Sequence, residues 1–256
     1  IKPVLYGGIA SRFLNIGEKV FSISGLGFIF IKQGFKVTFI RIIVKTMYKF
    51  ALGGKNSHVI VQNPDDKAVV NSIVKVPITL IRGSGVDLNQ YEYKEENNGN
   101  VKVSMACRLL KDKGVFEYID VVKILKQKLP NVEFELYGDI DIHNPASLTS
   151  DDVEKIKKDG FVNVYGFSSD IAKVFSDSNI VVLPSYREGL PKVLIEAAAC
   201  GRAVVTTDVP GCRDAIEPNV TGLLCEVKDI ESLARMIEKL IIDEKLRNRM
   251  GYEGRK

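Results

Sequence analysis

The sequence predicts an α/β protein with one complete doubly wound domain and, before it, part of a second α/β domain. Two features of the chain support this fold class. From residue 101 onward, short and almost continuously apolar runs alternate with amphipathic helical stretches. The connections between them are short, as βα units require. Because parallel strands are covered by helices on both faces, they are apolar throughout, and the pattern therefore indicates a parallel sheet.

The predicted strands of the complete domain cover 101–107, 132–138, 162–167, 180–185, 203–208 and 222–227. The predicted helices lie at 114–129, 150–160, 169–178, 191–200 and 231–250. Ligands of doubly wound sheets bind outside the carboxyl ends of the strands. The loops that follow the strands are therefore the first place to look for a site.

The first hundred residues are less regular and correspond to about half of a second domain. A helix is predicted at 6–15, and strands are predicted at 19–24, 58–63 and 76–85. A polar segment then indicates a linker. The predicted division is 1–93 for the partial N-terminal domain, 94–100 for the linker and 101–256 for the C-terminal domain. Because the chain begins with Ile1 and the earlier strands are missing, we expect it to be part of a longer protein.

Composition and motifs exclude several classes of protein. Apolar residues make up 45% and charged residues 27% of the 256, an ordinary globular balance. No apolar run approaches the roughly 18 residues that a membrane-spanning helix needs. The four cysteines have no C-x-x-C spacing and the two histidines lie far apart, which argues against a zinc site. Neither a G-x-G-x-x-G after a strand nor a P-loop is present, so dinucleotide redox chemistry and NTP hydrolysis have no support.

The strongest candidate site spans residues 183–201, LPSYREGLPKVLIEAAACG. A buried strand ends, a short loop follows, and Pro191 opens the next helix, where its missing N–H is not needed. The free N–H groups and the dipole of a helix start favour anions, and Gly189 allows a ligand to approach the backbone. Glu196 lies five residues into the helix, so its carboxylate can accept both hydroxyls of a ribose diol at the same sheet edge. Glu188, on the loop, would face a second polyol or a developing cation.

Spacing alone leaves a second interpretation open, in which Glu188 and Glu196 are solvated charges around an ordinary strand–helix turn. The motif E-G-L-P-x-x-x-x-E, however, resembles the E-x7-E signature of retaining GT-B glycosyltransferases of family 4. Further family-like segments are IKPVLYGGIASRF (1–13), SISGLGFIF (22–30), QNPDD (62–66), LIRGSGVDLNQY (80–91), CRLLKDKGVFEYI (107–119), NPASLT (144–149) and DVPGCRDAI (208–216). Together they are similar to the bacterial branch that builds lipid-linked oligosaccharides, O-antigens and capsules, over nearly the whole chain.

A pair of basic residues, Arg108 and Lys113, flanks the loop after the first strand of the complete domain. This loop belongs to the same carboxyl edge as Glu188, where a cation pair would neutralise a diphosphate and stabilise it as a leaving group. Taken alone, two basic residues in a loop are usually solvated charges. The resemblance implies that they hold the donor diphosphate, since the family has an Arg and a Lys at these places.

The resemblance implies a GT-B fold of two Rossmann-like domains, the N-terminal one incomplete here. It also implies a retaining transfer of a hexose or N-acetylhexosamine from a UDP-sugar to an undecaprenyl-diphosphate-linked saccharide in surface glycan synthesis. The implied catalytic residues are Glu188, Arg108 and Lys113. The implied donor-binding residues are Arg108, Lys113, Gly166, Phe167, Glu188, Gly189, Leu190 and Glu196, with Gly166 and Phe167 near the base.

Metal binding has one candidate motif, the D-x-D formed by Asp139 and Asp141. In another glycosyltransferase architecture such carboxylates hold a divalent ion on the diphosphate. Here Arg108 and Lys113 already supply the positive charge. We therefore expect no metal and no other cofactor.

Two departures from the family pattern concern the donor and acceptor sides. Pro191 replaces a residue that in many relatives donates a backbone N–H to the phosphate or sugar. Ser24, at a strand end, lacks the imidazole that many members carry near the sugar in the N-terminal domain. We expect the acceptor site to depend largely on segments outside this chain.

The N-terminal region is strongly basic. Residues 1–60 carry nine Lys or Arg against Glu18 alone, a net charge of +8, so the rest carries −4 to reach the overall +4. In the predicted helix 36–51, Arg41, Lys45 and Lys49 form one stripe opposite an apolar side. One interpretation is that this helix packs on its own sheet as an ordinary domain helix. Another is that its basic stripe contacts anionic lipid, with a binding free energy of about 1 kcal/mol per basic residue. The two interpretations are compatible. We expect a cytoplasmic protein peripheral to the inner face of the bacterial plasma membrane, with no nucleic-acid partner.

Two rival functions remain. A GT-B epimerase or other non-transferring sugar-nucleotide enzyme should lack E-x7-E and show a catalytic carboxylate–His set, which is not seen. A nucleotide-sugar-binding module without catalysis would not need the whole charged set. Arg108, Lys113, Glu188 and Glu196 are all present, which favours a transferase.

Overall fold

A computed structural model describes residues 2–14, 16–26, 30, 34–97 and 99–256. The chain divides into two compact units. The first consists of Ile1–Ser84 together with Arg187–Pro191, and the second consists of Gly85–Tyr186 and Lys192–Lys256. The division thus falls before the predicted linker 94–100, of which Asn98 lies outside the described residues, and a five-residue loop from the C-terminal half joins the first unit.

In its described part, the first unit contains one parallel sheet with strand order β1-β2-β3. The strands are β1 (Lys19–Ile23), β2 (Ser57–Val61) and β3 (Ile78–Leu80), and the helices are α1 (Lys2–Phe13), α2 (Phe35–Leu52) and α3 (Pro64–Ile73). The predicted helices 6–15 and 36–51 are confirmed as α1 and α2, with Asn15 outside the described residues. The three predicted strands are confirmed as well, although the last is only three residues long. The sequence analysis missed α3. Its start has a clear local cause, because the Asn63 side chain accepts the Asp66 N–H and Pro64 occupies the first turn.

The core of the first unit is formed by its sheet together with α1, α2 and α3. Gly8 allows α1 to lie directly against α2, since a Cβ there would be 2.7 Å from the Cβ of Ala51. Helix α2 buries Tyr48 and Leu52. It packs only part of its surface, however, because Phe39 remains 64% exposed.

The second unit contains a parallel sheet with the order β6-β5-β4-β7-β8-β9. Its strands are β4 (Lys102–Ala106), β5 (Glu133–Tyr137), β6 (Asn163–Gly166), β7 (Ile180–Leu183), β8 (Ala203–Thr207) and β9 (Gly222–Cys225). Its helices are α4 (Val115–Lys128), α5 (Ser150–Asp159), α6 (Ile171–Asp177), α7 (Lys192–Ala199), α8 (Ile230–Ile242) and α9 (Glu244–Arg255). The predicted doubly wound fold class is confirmed. The central strands β7 and β8 are buried along their whole length, as their almost continuously apolar runs indicated.

One helix prediction was wrong. The predicted helix 231–250 is two helices, α8 and α9, because Asp243 ends the first and caps the second. Its N–H still donates to the Lys239 carbonyl, while its side chain accepts the Leu246 N–H at 2.9 Å. A short acidic side chain that binds nearby backbone N–H groups favours a cap over a helix interior.

The segment between Gly85 and β4 is fastened to the second unit by buried polar contacts. Glu96 forms an ion pair with Arg247, whose Nη2 lies 2.8 Å from the Glu96 Oε2. The Asn179 amide donates to the same oxygen at 2.6 Å. A buried charge needs such partners, and these three side chains come from three different parts of the unit. This fastening explains why residues predicted as linker belong to the second unit.

Replacing Arg247 with Met tests this fastening. Arg247 is 4% exposed, and its loss leaves the Glu96 carboxylate without its main partner, so we expect the free energy of unfolding to fall by about 3–5 kcal/mol. Urea unfolding followed by circular dichroism measures it. Glu154→Gln, which breaks the exposed pair between Glu154 and Lys157, is the control and should change the value by about 0.5 kcal/mol or less. Equal effects of the two variants would contradict the assignment.

Candidate functional site

The strand order of the second unit reverses between β4 and β7. From β4 the chain winds outward through β5 and β6, and from β7 it winds the other way through β8 and β9. At such a switch point the loops after the two central strands diverge and leave a crevice outside their carboxyl ends. The loop with Arg108 follows β4, and Pro184 follows β7. The sequence-predicted basic loop therefore lies at the position where this fold class binds ligands.

The two loops at the switch point are fixed against each other. Gly114 has a φ of 76°, and a Cβ there would lie 2.3 Å from the Pro184 carbonyl oxygen. The backbone N–H of Tyr186 donates to the Asp112 carbonyl at 2.9 Å, and its hydroxyl donates to the Glu117 carboxylate. The basic loop is thus held close to the chain that follows β7.

A cavity of about 550 Å³ opens at this edge of the sheet, and its lining includes Arg108, Phe167 and Glu196. These predicted donor-site residues come from three separate loops or helices of the second unit. Gly138, Asp141 and Val193 also line it. Folding therefore assembles part of the predicted site around one concave surface.

Glu196 is buried, which rules out a solvated surface charge. It lies in α7 with 7% of its surface exposed. The Tyr91 hydroxyl donates to its Oε1 at 2.7 Å, and the Lys192 Nζ lies 3.1 Å from the same oxygen. Burial, together with the hydrogen bond to this carboxylate, raises the pKa of Tyr91 well above its usual range. The carboxylate thus sits in the cavity wall with donors that stabilise its charge.

Arg108 has an acidic partner in the structure. Its Nη1 lies 3.1 Å from the Oδ2 of Asp141, and its side chain is 64% exposed. The second carboxylate of the D-x-D motif is therefore the partner of a guanidinium. Lys113 is half-buried in a short 3-10 helix, Lys111–Lys113, at the end of the same loop.

The ends of β5 and β6 are locked to the end of β4. The Gly138 N–H donates to the Gly166 carbonyl at 2.7 Å. Gly138 has a φ of 135°, and a Cβ there would be 1.7 Å from the Cys107 carbonyl oxygen. Gly166 has a φ of 74°, and Phe167 after it is 74% exposed at the cavity. An exposed aromatic ring beside a cavity is suited to contact with the face of a planar ligand.

Glu188, Gly189 and Leu190 belong to the loop that joins the first unit. The Asn63 amide donates to the Gly189 carbonyl at 2.8 Å and to the Glu188 carbonyl at 3.5 Å. Arg187 forms an ion pair with the fully buried Asp66. The sequence analysis placed this loop in the C-terminal domain. The structure assigns it to the first unit because its partners are there.

The lack of a side chain at Gly189 allows another segment of the same unit to lie close to its backbone. A Cβ at this position would lie 1.8 Å from the Ser24 carbonyl oxygen and 2.6 Å from the Gln62 side chain. The predicted approach of a ligand to the Gly189 backbone stays a prediction. The Ser24 carbonyl occupies the place that a side chain at position 189 would take.

Sequence reasoning missed three residues that hold predicted site residues in place. Asn63 and Asp66 fix the Glu188 loop, and Tyr91 fixes Glu196. Their only signal was that they lie in family-like segments, QNPDD and LIRGSGVDLNQY, for which no role was inferred. Local patterns do not identify these pairings, because each joins residues more than a hundred positions apart.

Comparison with known proteins gives a consistent picture. The family model "Glycosyl transferases group 1" matches residues 89–256. A Campylobacter jejuni N,N'-diacetylbacillosaminyl-diphospho-undecaprenol alpha-1,3-N-acetylgalactosaminyltransferase is 31% identical over 96% of this chain and 67% of its own length. The Staphylococcus aureus capsular polysaccharide biosynthesis glycosyltransferase CapM is 29% identical over 100% of this chain and 69% of its own.

Among solved structures, Anabaena HepE in complex with UDP and glucose is similar in fold. It superposes with a TM-score of 0.73 at 21% identity, over 99% of this chain and 70% of that one. Identity this low establishes the fold alone. This chain spans about two thirds of the length of the two relatives.

Replacing Gly138 with Ala tests the locking of the strand ends. The new methyl group meets the Cys107 carbonyl and a backbone that L-residues rarely adopt, so we expect the free energy of unfolding to fall by about 2 kcal/mol or more. The measurement is urea unfolding. Gly99→Ala serves as control because a Cβ there meets nothing within 4 Å, and it should stay within about 0.5 kcal/mol of the parent. A Gly138→Ala variant as stable as this control would show that the strand ends are not locked as described.

Proposed function

The chain belongs to the group 1 glycosyl transferases, and we propose that its second unit binds the UDP part of a sugar-nucleotide donor. The observation that carries this proposal is a single cavity at the switch point of the sheet, lined by both Arg108 and the buried Glu196. A diphosphate needs positive charge and a ribose needs a fixed acceptor, and this cavity offers one of each.

The proposed contacts follow the order of groups in the nucleotide. Phe167 and the Gly166 turn accommodate the base, Glu196 accepts the ribose hydroxyls, and Arg108 with Lys113 binds the diphosphate. Arg108 then exchanges Asp141 for the phosphates. That exchange is inexpensive, because an exposed ion pair contributes only about 0–1 kcal/mol. Positive charge from side chains takes the place of a metal ion, so we propose metal-independent binding.

The proposed reaction of the whole protein is retaining transfer from the UDP-sugar. The bond from the anomeric carbon to the diphosphate oxygen breaks, and the acceptor oxygen bonds to the same face while its proton passes to the departing oxygen. Arg108 and Lys113 stabilise the negative charge that develops on the diphosphate. Glu188 positions the hydroxyls of the donor sugar. Its backbone is suited to this because Asn63 and the Arg187–Asp66 pair hold the loop in place.

The proposed acceptor is an undecaprenyl-diphosphate-linked saccharide, and the donor sugar is a hexose or N-acetylhexosamine, as in surface glycan or capsule synthesis. The name of the Campylobacter jejuni relative supports a diphospho-undecaprenol acceptor and an N-acetylhexosamine. The name of CapM supports a role in capsule formation.

We further propose that α2 brings the protein to the inner face of the bacterial plasma membrane. Lys45 and Lys49 are exposed on this helix, next to the exposed Ile42 and Phe50, whereas Arg41 is half-buried. Exposed lysines beside exposed apolar side chains suit the boundary between lipid headgroups and acyl chains. Among the described residues, no helix combines the length and apolarity needed to cross a bilayer.

Replacing Arg108 with Ala tests the donor site. We expect the Kd for UDP, measured by calorimetry, to rise about tenfold or more, since a charge-assisted contact to phosphate is lost. The Kd for uridine, which has no phosphate, should not change. Lys111→Ala removes an exposed basic residue of the same loop and is the matched control, and EDTA should leave UDP binding intact. Unchanged UDP binding by Arg108→Ala would refute the diphosphate assignment.

Reversing two charges on α2 tests the membrane proposal. The double variant Lys45→Glu/Lys49→Glu should bind phosphatidylglycerol vesicles at least about thirtyfold more weakly in cosedimentation, from roughly 1 kcal/mol per lysine. Lys155→Glu/Lys158→Glu, on the exposed surface of α5, makes the same change of charge in the second unit. If both double variants lose vesicle binding equally, net charge rather than α2 is responsible.

A further inference from the structure

Tyr91 donates a hydrogen bond to Glu196, the residue predicted to accept the ribose hydroxyls. It precedes β4 within the second unit and is 6% exposed. Its hydroxyl lies 2.7 Å from the Oε1 of Glu196, and the Lys192 Nζ lies 3.1 Å from that same oxygen. Two donors therefore meet on one oxygen of the carboxylate.

The position of Tyr91 is tied to the helix that carries Glu196. The Arg255 Nη1 donates to the Tyr91 carbonyl at 2.6 Å and to the Ala199 carbonyl at 2.7 Å. Ala199 ends α7, about one turn after Glu196. One guanidinium thus joins the Tyr91 backbone to the end of α7, so the tyrosine and the carboxylate keep their spacing.

The Tyr91 and Lys192 contacts determine which oxygen of Glu196 remains available to a ligand. Each oxygen has about two lone-pair sites. When Tyr91 and Lys192 fill those of Oε1, a vicinal diol finds its two acceptor sites on Oε2. The tyrosine stays a donor throughout, because its buried hydroxyl does not ionise at neutral pH.

We infer that Tyr91 is a positioning residue, which holds the Oε1 of Glu196 so that Oε2 is presented to the 2′- and 3′-hydroxyls of the nucleotide. The inference rests on the proposed binding of UDP. Tyr91, a side chain outside the E-x7-E motif, thereby favours a ribonucleotide over a nucleotide that lacks the diol.

The experiment compares UDP with 2′,3′-dideoxyuridine diphosphate, which lacks the diol. By calorimetry, the parent chain should bind UDP about tenfold to a hundredfold more tightly than the dideoxy ligand. Tyr91→Phe keeps the ring and loses only the hydroxyl. It should lower this preference about five- to tenfold, by weakening UDP binding while leaving the dideoxy ligand unaffected.

One further variant controls for folding, and a second removes the other donor to the Glu196 Oε1. Tyr118→Phe removes another buried hydroxyl, one that donates to the Val103 carbonyl at 2.8 Å, and should keep the full preference for UDP. Lys192→Met removes the other Oε1 donor from an exposed position and should lower the preference about threefold.

The outcomes separate this inference from the proposed function. A parent that prefers UDP, with the preference unchanged in both Tyr91→Phe and Lys192→Met, overturns the inference and leaves the donor site standing. A parent that does not distinguish the two ligands overturns the ribose role of Glu196, and the inference with it, while the Arg108 result still reports on the diphosphate. A preference that falls in Tyr91→Phe but not in Tyr118→Phe supports the inference.

Discussion

The parallel pairing of β4 with β7 is the contact on which the rest of the candidate donor site depends. It joins Val103 to Ile180 and Ser104 to Val181, strands that are far apart in sequence. Because the chain winds away from this pair in both directions, the loops after the two strands are left without a covering connection, and a cavity remains at their carboxyl ends. Glycine makes this edge compact. At Gly114 and Gly138 another segment's backbone occupies the place of a side chain, so the loops are held by direct contact between backbones.

Two buried carboxylates, Glu196 and Asp66, also hold the predicted site residues in place, and each has a hydrogen-bonding or ion-pair partner. Glu196 is held by Tyr91 and Lys192, and Asp66 by Arg187. A buried carboxylate without a partner would be neutralised or would destabilise the fold. These pairs therefore keep the charge that a polar ligand requires and restrict the direction in which each carboxylate points. Tyr91 and Asp66 lie outside the E-x7-E motif, whereas Lys192 lies within it.

Much of the fold was predictable from the sequence. Short, mostly apolar runs alternating with amphipathic helical stretches correctly predicted the six strands of the second unit, since parallel strands covered by helices on both faces are largely apolar. The prediction failed where a polar side chain decides the local structure. Asp243 divides one predicted helix into two, and Asn63 begins a helix that was missed. At Gly189 the lack of a side chain makes room for the Ser24 carbonyl, a contact that the sequence did not predict.

The sequence by itself determined the fold class, the positions of most strands and helices, and the family, because apolar periodicity and short motifs are properties of neighbouring residues. Only the tertiary structure decided which side chains support the site. Tyr91 meets Glu196 across 105 positions, and Asn63 meets Gly189 across 126. Such pairings depend on strand order and on the unit to which each loop is attached, and no local pattern carries that information. The E-x7-E motif is one continuous stretch of sequence, yet the structure anchors Glu188 in the first unit and Glu196 in the second.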